Sequence, residues 1–162
     1  VNQDPQTLQS LLDGLDYPVY IVTAADEGER AGCLVGFATQ CSLDPVRFLV
    51  CISKANRTFR VARTAGHLGV HLVPRLGFEL AELFGGQTGD DVDKFARCEW
   101  EEGPDGVPLL AGCPDRFVGR ILERTDAGDH VAFHLEPVEW RSEGHASLTF
   151  QDTKGIEAGH PA

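Results

Sequence analysis

The sequence contains no methionine and is short of cations: 14 lysines and arginines face 25 aspartates and glutamates over 162 residues, a formal net charge of −11. That balance excludes nucleic acid and anionic membrane surfaces as partners, since both require a basic footprint. No apolar run approaches the ~20 residues of a spanning helix. Residues 1–18 have neither the basic region nor the continuous apolar core of a signal peptide, so a cytoplasmic location is expected. Internal repeats and low-complexity blocks are missing as well. The familiar catalytic signatures are absent too: there is no G-x-S-x-G, no P-loop and no G-x-G-x-x-G opening a βαβ unit. The missing methionine has no functional consequence.

Five cysteines stand at 33, 41, 51, 98 and 113, an odd number, widely spaced and mostly within apolar runs. They suit small buried hydrophobes in a reducing compartment better than a disulfide framework or a Cys-x-x-Cys metal site. His67/His71 and His130/His134 share an H-x-x-x-H spacing that would put two ligands on one face of a helix. Both pairs lie in segments that alternate like strands, where four residues span about 13 Å, so no metal is expected.

The length suits one domain over residues 1–162, with a core at about 15–140 and a tail at about 152–162. Leu8, Leu11 and Leu12 lie at helical spacing before Gly14, predicting a short amphipathic helix docked on the rest. Strands are expected at 17–24, 31–39, 48–53, 67–73, 115–123 and 129–140, with a short one near 99–102 and another at 147–151. Helices are expected at 57–65, where Gly66 terminates, and at 76–84, ahead of Gly85-Gly86. Residues 85–95 read as a polar loop of the kind that carries binding residues.

The most informative stretch is residues 30–58, RAGCLVGFATQCSLDPVRFLVCISKANRT. Two apolar runs, 33–39 and 48–53, flank Ser42-Leu43-Asp44-Pro45, a turn-forming cluster. The second run leads into Ser53, Lys54, Asn56, Arg57 and Thr58, hydroxyls, an amide and two cations at a helix start, a composition that suits phosphate. An ordinary cap by Asn56 or Ser53 beside solvated cations is the alternative. Glycine, then small and apolar residues, then S-L-D-P, a strand and a polar helix start, with Gly128-Asp129-His130 near a late strand, resembles the flavin reductase-like, FMN-binding split-barrel family over residues 15–140.

That resemblance implies a mainly β fold with short helices, a six-stranded Greek-key split β-barrel working as a homodimer. It implies FMN or FAD as cofactor, NAD(P)H as reductant, hydride transfer to flavin N5, and delivery of reduced flavin to oxygen or a monooxygenase component. The cofactor does its own redox chemistry, so no triad is needed. The family strand G-M-T-A-S-S-F-x-S matches residues 32–40 here, with Leu34 for the threonine and Gly36-Phe37 for the serine pair. The backbone of Val35, Gly36, Phe37 and Ala38, together with Thr39 and Gln40, is then the expected flavin wall; Gly36 also suits a β-bulge. Lys94-Phe95 resembles a D-K-F stretch that nears the cofactor, or belongs to a solvated loop. His130 is the expected catalytic residue at the nicotinamide, or a hairpin-end histidine. Trp100 and Trp140 are expected in core or interface. A non-catalytic flavin or haem carrier and a deazaflavin-dependent oxidoreductase remain alternatives on the same barrel.

Overall fold

A computed structural model describes residue 1 and residues 3–160. The chain runs through helix α1 (Pro5–Asp13), strands β1 (Tyr20–Asp26), β2 (Glu29–Val35), β3 (Ala38–Leu43) and β4 (Val46–Ser53), then helix α2 (Arg57–Ala62). Strand β5 (His67–Leu72), helix α3 (Phe78–Gly86), a 3-10 turn (Lys94–Arg97) and strands β6 (Trp100–Glu102) and β7 (Pro108–Leu110) follow. Long strands β8 (Arg116–Asp126) and β9 (His130–Arg141) and the short helix α4 (Phe150–Thr153) complete it. Seven strands make one antiparallel sheet in the order β2-β1-β5-β8-β9-β4-β3, and β6 and β7 form a separate ribbon.

The expected six strands become seven because the run 31–39 does not stay whole. It breaks at Gly36-Phe37, β2 pairing with β1 and β3 with β4. The two end strands of the sheet are therefore consecutive in the chain, and the barrel is split beside the break. A backbone bond from Cys51 N to Phe37 O at 2.8 Å ties the break to β4. A β-carbon on Gly36 would stand 3.1 Å from the Tyr17 ring, so the chain can turn there only with the ring packed on bare backbone. The β1–β2 hairpin closes through Glu27-Gly28, both at positive φ, the primed turn that matches strand twist.

Alternation along the strands sorts the core into two layers. Val22, Ala24, Cys33, Val35, Val50, Ile52, Leu68, Val70, Phe133 and Leu135 fill the barrel, with α2 plugging one end through Val61 and Ala62. From the other face of β1, Ile21 packs with Val73, Ala81, Phe84, Phe95 and Leu110 beneath α3 and the ribbon. His71 belongs to this outer layer: its Nδ1 donates to Ile21 O at 2.9 Å and its Nε2 accepts from Leu110 N at 3.1 Å. Burial lowers its pKa to about 4, so the ring is neutral and pins the ribbon to the sheet. Its partners being backbone groups, His71 is structural.

Three expectations need correction. Helix α1 forms, N-capped by Asp4, but does not dock: Leu8, Leu11 and Leu12 are all exposed. Pro5 and the cap suffice to start it, and its C-terminal end is held by Gln151, which donates to Asp13 O and Leu15 O. Residues 147–151 make isolated bridges to Pro74 and Pro18 and then enter α4, because Thr149 and Asp152 form a capping box that favours helix. Residues 76–77 lie outside α3, which starts at Phe78 and runs on through Gly86. Beyond β9, the Asp115 carboxylate accepts from Ser142 Oγ and from the amides of Glu143, Gly144 and His145, which holds its pKa well below the usual range and fixes the return of the chain.

Candidate functional site

Two cavities flank the β4–α2 connection. The first, about 260 Å³, opens where the barrel is split: Val35, Gly36 and Phe37 form one wall, Cys51 to Ser53 and Asn56 the floor, and His130 the far side. The second, about 370 Å³, lies under the loop 89–95 and takes Arg57, Thr58, Lys94 and Phe95 with residues 28–32 at the β1–β2 turn and the start of β2. The sequence-predicted residues are thus divided between two neighbouring recesses. Ala38, Thr39 and Gln40 lie outside both, along β3, where Ala38 N is engaged by Gly36 O and the Gln40 amide by Ser42 O.

The first cavity is lined by aromatic and aliphatic side chains interspersed with Ser53, Asn56, Thr153 and His160. Phe37 is 57% exposed, unusual for so large an apolar group, and its ring centroid lies 5.3 Å from that of His130 and 6.4 Å from that of Tyr17. Tyr17 in turn stacks on Phe150 at 4.9 Å. His130 is placed by the register of β9, where it faces Ser53 of β4, and its Nδ1 bonds the Asp129 carboxylate at 2.7 Å. That bond holds the Asp129 pKa down and fixes the ring. Ribityl-sized polar groups would meet Ser53 and Asn56; a flat apolar ring would meet Phe37 and His130.

The polar helix start is largely self-satisfied. Asn56 Oδ1 accepts from Thr58 N at 2.9 Å, Ser53 Oγ from Ala55 N at 3.3 Å, and Ser53 O from Asn56 N at 3.0 Å. Its cations are also occupied. Lys54 Nζ lies 2.7 Å from the Asp126 carboxylate, whose pKa it lowers, and Arg57 lies 3.6 Å from Glu29 and 3.7 Å from Asp90. Lys94 is buried, its ammonium donating to Gly32 O and Phe84 O at 3.0 Å each, and burial lowers its pKa. It staples α3 to β2. Thr58 Oγ1 is the exception: it is fully buried with the Cys33 thiol as its neighbour and has no oxygen or nitrogen partner among the described residues.

Sequence reasoning missed the C-terminal segment. Phe150, Thr153, Ile156, Ala158 and His160 line the first cavity, and the Asn56 amide donates to His160 Nε2 at 3.0 Å. The signal was present in T-F-Q-D at 149–152, a capping box that announces an ordered helix where a tail was expected. Trp100 and Trp140 stay outside the first cavity: Trp100 packs on Phe95 beneath Arg30, and Trp140 is exposed on β9. Among the described residues no group of three or more His, Cys, Asp or Glu side chains is arranged to hold a metal ion, and no helix is long and apolar enough to cross a membrane.

Comparison with known proteins agrees with this geometry. The chain is 28% identical over 148 residues to the stachydrine N-demethylase reductase subunit Stc3 of Rhizobium meliloti, which covers 91% of this chain and 63% of that one. It is 34% identical over 115 residues to a flavin reductase (NADPH) of Lentzea aerocolonigenes, covering 69% of this chain and 65% of that one. The chain thus spans less than two thirds of either relative. An FMN-binding protein from Thermus thermophilus, solved with bound 1-cyclohex-2-enone, superposes with a TM-score of 0.82 at 25% identity over 100% of this chain and 94% of its own. The seven-stranded open sheet is accordingly a split barrel. Residues 12–155 match the model of the flavin reductase like domain, and the chain belongs to that family.

Proposed function

We propose that the chain is an NAD(P)H:flavin oxidoreductase whose flavin, FMN or FAD, lies in the cavity at the split of the barrel. The observation that carries this is the pairing of Phe37 with His130 beside a cavity that also presents Ser53 and Asn56, in a chain of this family. A bound flavin would supply the redox chemistry, as acceptor of hydride from the nicotinamide and donor of electrons to oxygen or a monooxygenase component. The chain's own residues position. Val35, Gly36 and Phe37 wall one side of the ring, Ser53 and Asn56 receive the polar side chain of the flavin, and Thr58, Lys94 and Phe95 brace the fold from the neighbouring recess. Lys54 and Arg57 flank the phosphate end as ion-paired cations. His130, held by Asp129 beside Phe37, is the residue we assign to donor positioning.

A homodimer belongs to this reading. Leu8, Leu11 and Leu12 on α1, and Leu43 and Val46 at the edge of the sheet, leave apolar surface that a second copy would cover. Sedimentation of the purified chain should give twice the chain mass; a monomer at micromolar concentration would remove that part. Oxidation of NADH and NADPH, followed with FMN, FAD or riboflavin added, tests the activity itself. A specific observation favours one second reading, a flavin carrier: Gly36 and Phe37 offer no hydroxyl to the cofactor. Flavin bound without nicotinamide oxidation by any of the three would establish the carrier and refute the enzyme.

A further inference from the structure

After α4 the chain turns back over the first cavity, where Ile156, Ala158 and His160 join its lining. These three residues lie beyond residues 12–155, the part of the chain that matches the family. The segment is lightly seated. Gly155, Glu157 and Ala158 are exposed and Ile156 is half-buried, its Cγ2 3.5 Å from where a β-carbon would stand on Gly85 or Gly86 at the end of α3. Gly159 N donates to Gly85 O at 3.2 Å, and the Asn56 amide donates to His160 Nε2 at 3.0 Å.

Two observations show what this seat excludes. With the segment in place the cavity holds about 260 Å³, below the about 300–1,000 Å³ of pockets that bury a small organic ligand. Asn56, assigned above to the polar side chain of the flavin, is engaged at both side-chain atoms, Oδ1 by Thr58 N and Nδ2 by His160. We infer that residues 155–160 are an autoinhibitory strap: His160 takes the place of the ligand on Asn56, and the flavin enters only when the strap swings away. Gly155 suits the hinge, since a β-carbon there would meet nothing within 4 Å. The inference rests on the flavin-binding reading and adds to it a closed state of the free protein. Apparent affinity is then reduced by the fraction of molecules whose strap is open, and whatever unseats the strap raises it.

Gly159 is the position at which to test this, because Asn56 is both latch and receiver. A β-carbon on Gly159 would stand 2.6 Å from Gln87 C and 2.8 Å from Thr88 N, so Gly159→Val cannot keep the strap seated. In the unaltered protein FMN should speed trypsin cleavage after the exposed Lys154, read by mass spectrometry as release of the peptide that begins at Gly155. FMN should also expose the Gly159 amide to hydrogen exchange. Gly159→Val should be cleaved rapidly without FMN and bind FMN about fivefold more tightly, the scale of one net hydrogen bond. His160→Ala, which removes the latch without crowding the backbone, should tighten FMN in the same direction. Slower cleavage and a protected Gly159 amide in the presence of FMN would make the segment a wall of the occupied site and overturn the inference. FMN affinity unchanged or weakened in both variants would also overturn it, and either result leaves the flavin reading intact. If FMN, FAD and riboflavin bind neither the unaltered protein nor the variants, the flavin reading falls and the strap with it.

Discussion

The buried imidazole of His71 gives the fold a defined sensitivity to acid. The side chain is fully buried, with its Nδ1 proton on Ile21 O and its Nε2 accepting from Leu110 N, so protonation must break the second bond and leave a cation in an apolar layer. Burial sets its folded pKa at about 4, against 6.5 for the free side chain. The unfolded chain therefore takes up a proton as pH falls through 6.5, and the folded chain does so only near 4. Stability contributed by the neutral ring is complete above pH 6.5 and is lost progressively down to about 4, with a total of about 3 kcal/mol at 1.36 kcal/mol per unit. Urea unfolding followed by tryptophan fluorescence across this range, for the unaltered protein and for His71→Gln, isolates the effect. The glutamine can still donate and accept but does not titrate, so the difference between the two should narrow by about 3 kcal/mol toward pH 4. Asp115 does not confuse the comparison: its pKa is depressed below 3.8, so its contribution is lost only in stronger acid. Parallel loss of stability in both proteins would refute the reasoning.

Other substitutions address the site. His130→Ala should slow reduction of bound flavin by NAD(P)H in stopped flow by about tenfold or more, as loss of a positioning contact does, while reduction by dithionite, which needs no nicotinamide, is unchanged; equal rates would return His130 to a hairpin-end role. Asn56→Ala removes the α2 cap and the contact to His160 and should cost about 1 kcal/mol in thermal or urea unfolding, with weaker binding of all flavins. Lys94→Met keeps the bulk but orphans Gly32 O and Phe84 O, and should destabilise by about 1–3 kcal/mol. If Lys94 instead contacts ligand, the methionine variant will lose flavin affinity at unchanged stability.

Much of the fold was legible because it follows from short-range rules. The β-branched and aromatic run of β1, the strand at β5, the polar Asp26–Glu29 turn and the hairpin before His130 each depend on a few neighbouring residues, and the structure has these elements, although β1 and β5 are buried on both faces where alternation in β5 suggested one. What was not legible depends on contacts distant in sequence. That β2 stops at Val35 is decided by Tyr17 packing on Gly36, and that residues 147–151 do not extend the sheet is decided by the capping box and by bridges to Pro18 and Pro74. Helix periodicity at Leu8, Leu11 and Leu12 announced an apolar face correctly. It carried no information on whether this chain or another covers it.

The partners of the charged residues were equally hidden, and they change the meaning of the central stretch. Read along the chain, Ser53, Lys54, Asn56, Arg57 and Thr58 are a row of donors and cations; in space, the carboxylates that occupy them come from 29, 90 and 126, on three other segments. A composition suited to phosphate is converted into a set of structural ion pairs joining α2 to the β1–β2 turn, the loop after α3 and the β8–β9 turn. The break at Gly36-Phe37 does the reverse. Two residues with no polar side chain, which as sequence weakened the match to a flavin wall, become in space the hinge that opens the barrel and the aromatic face at its mouth. At the split the chain presents shape and an aromatic face, and its charges are used to hold the surrounding segments together.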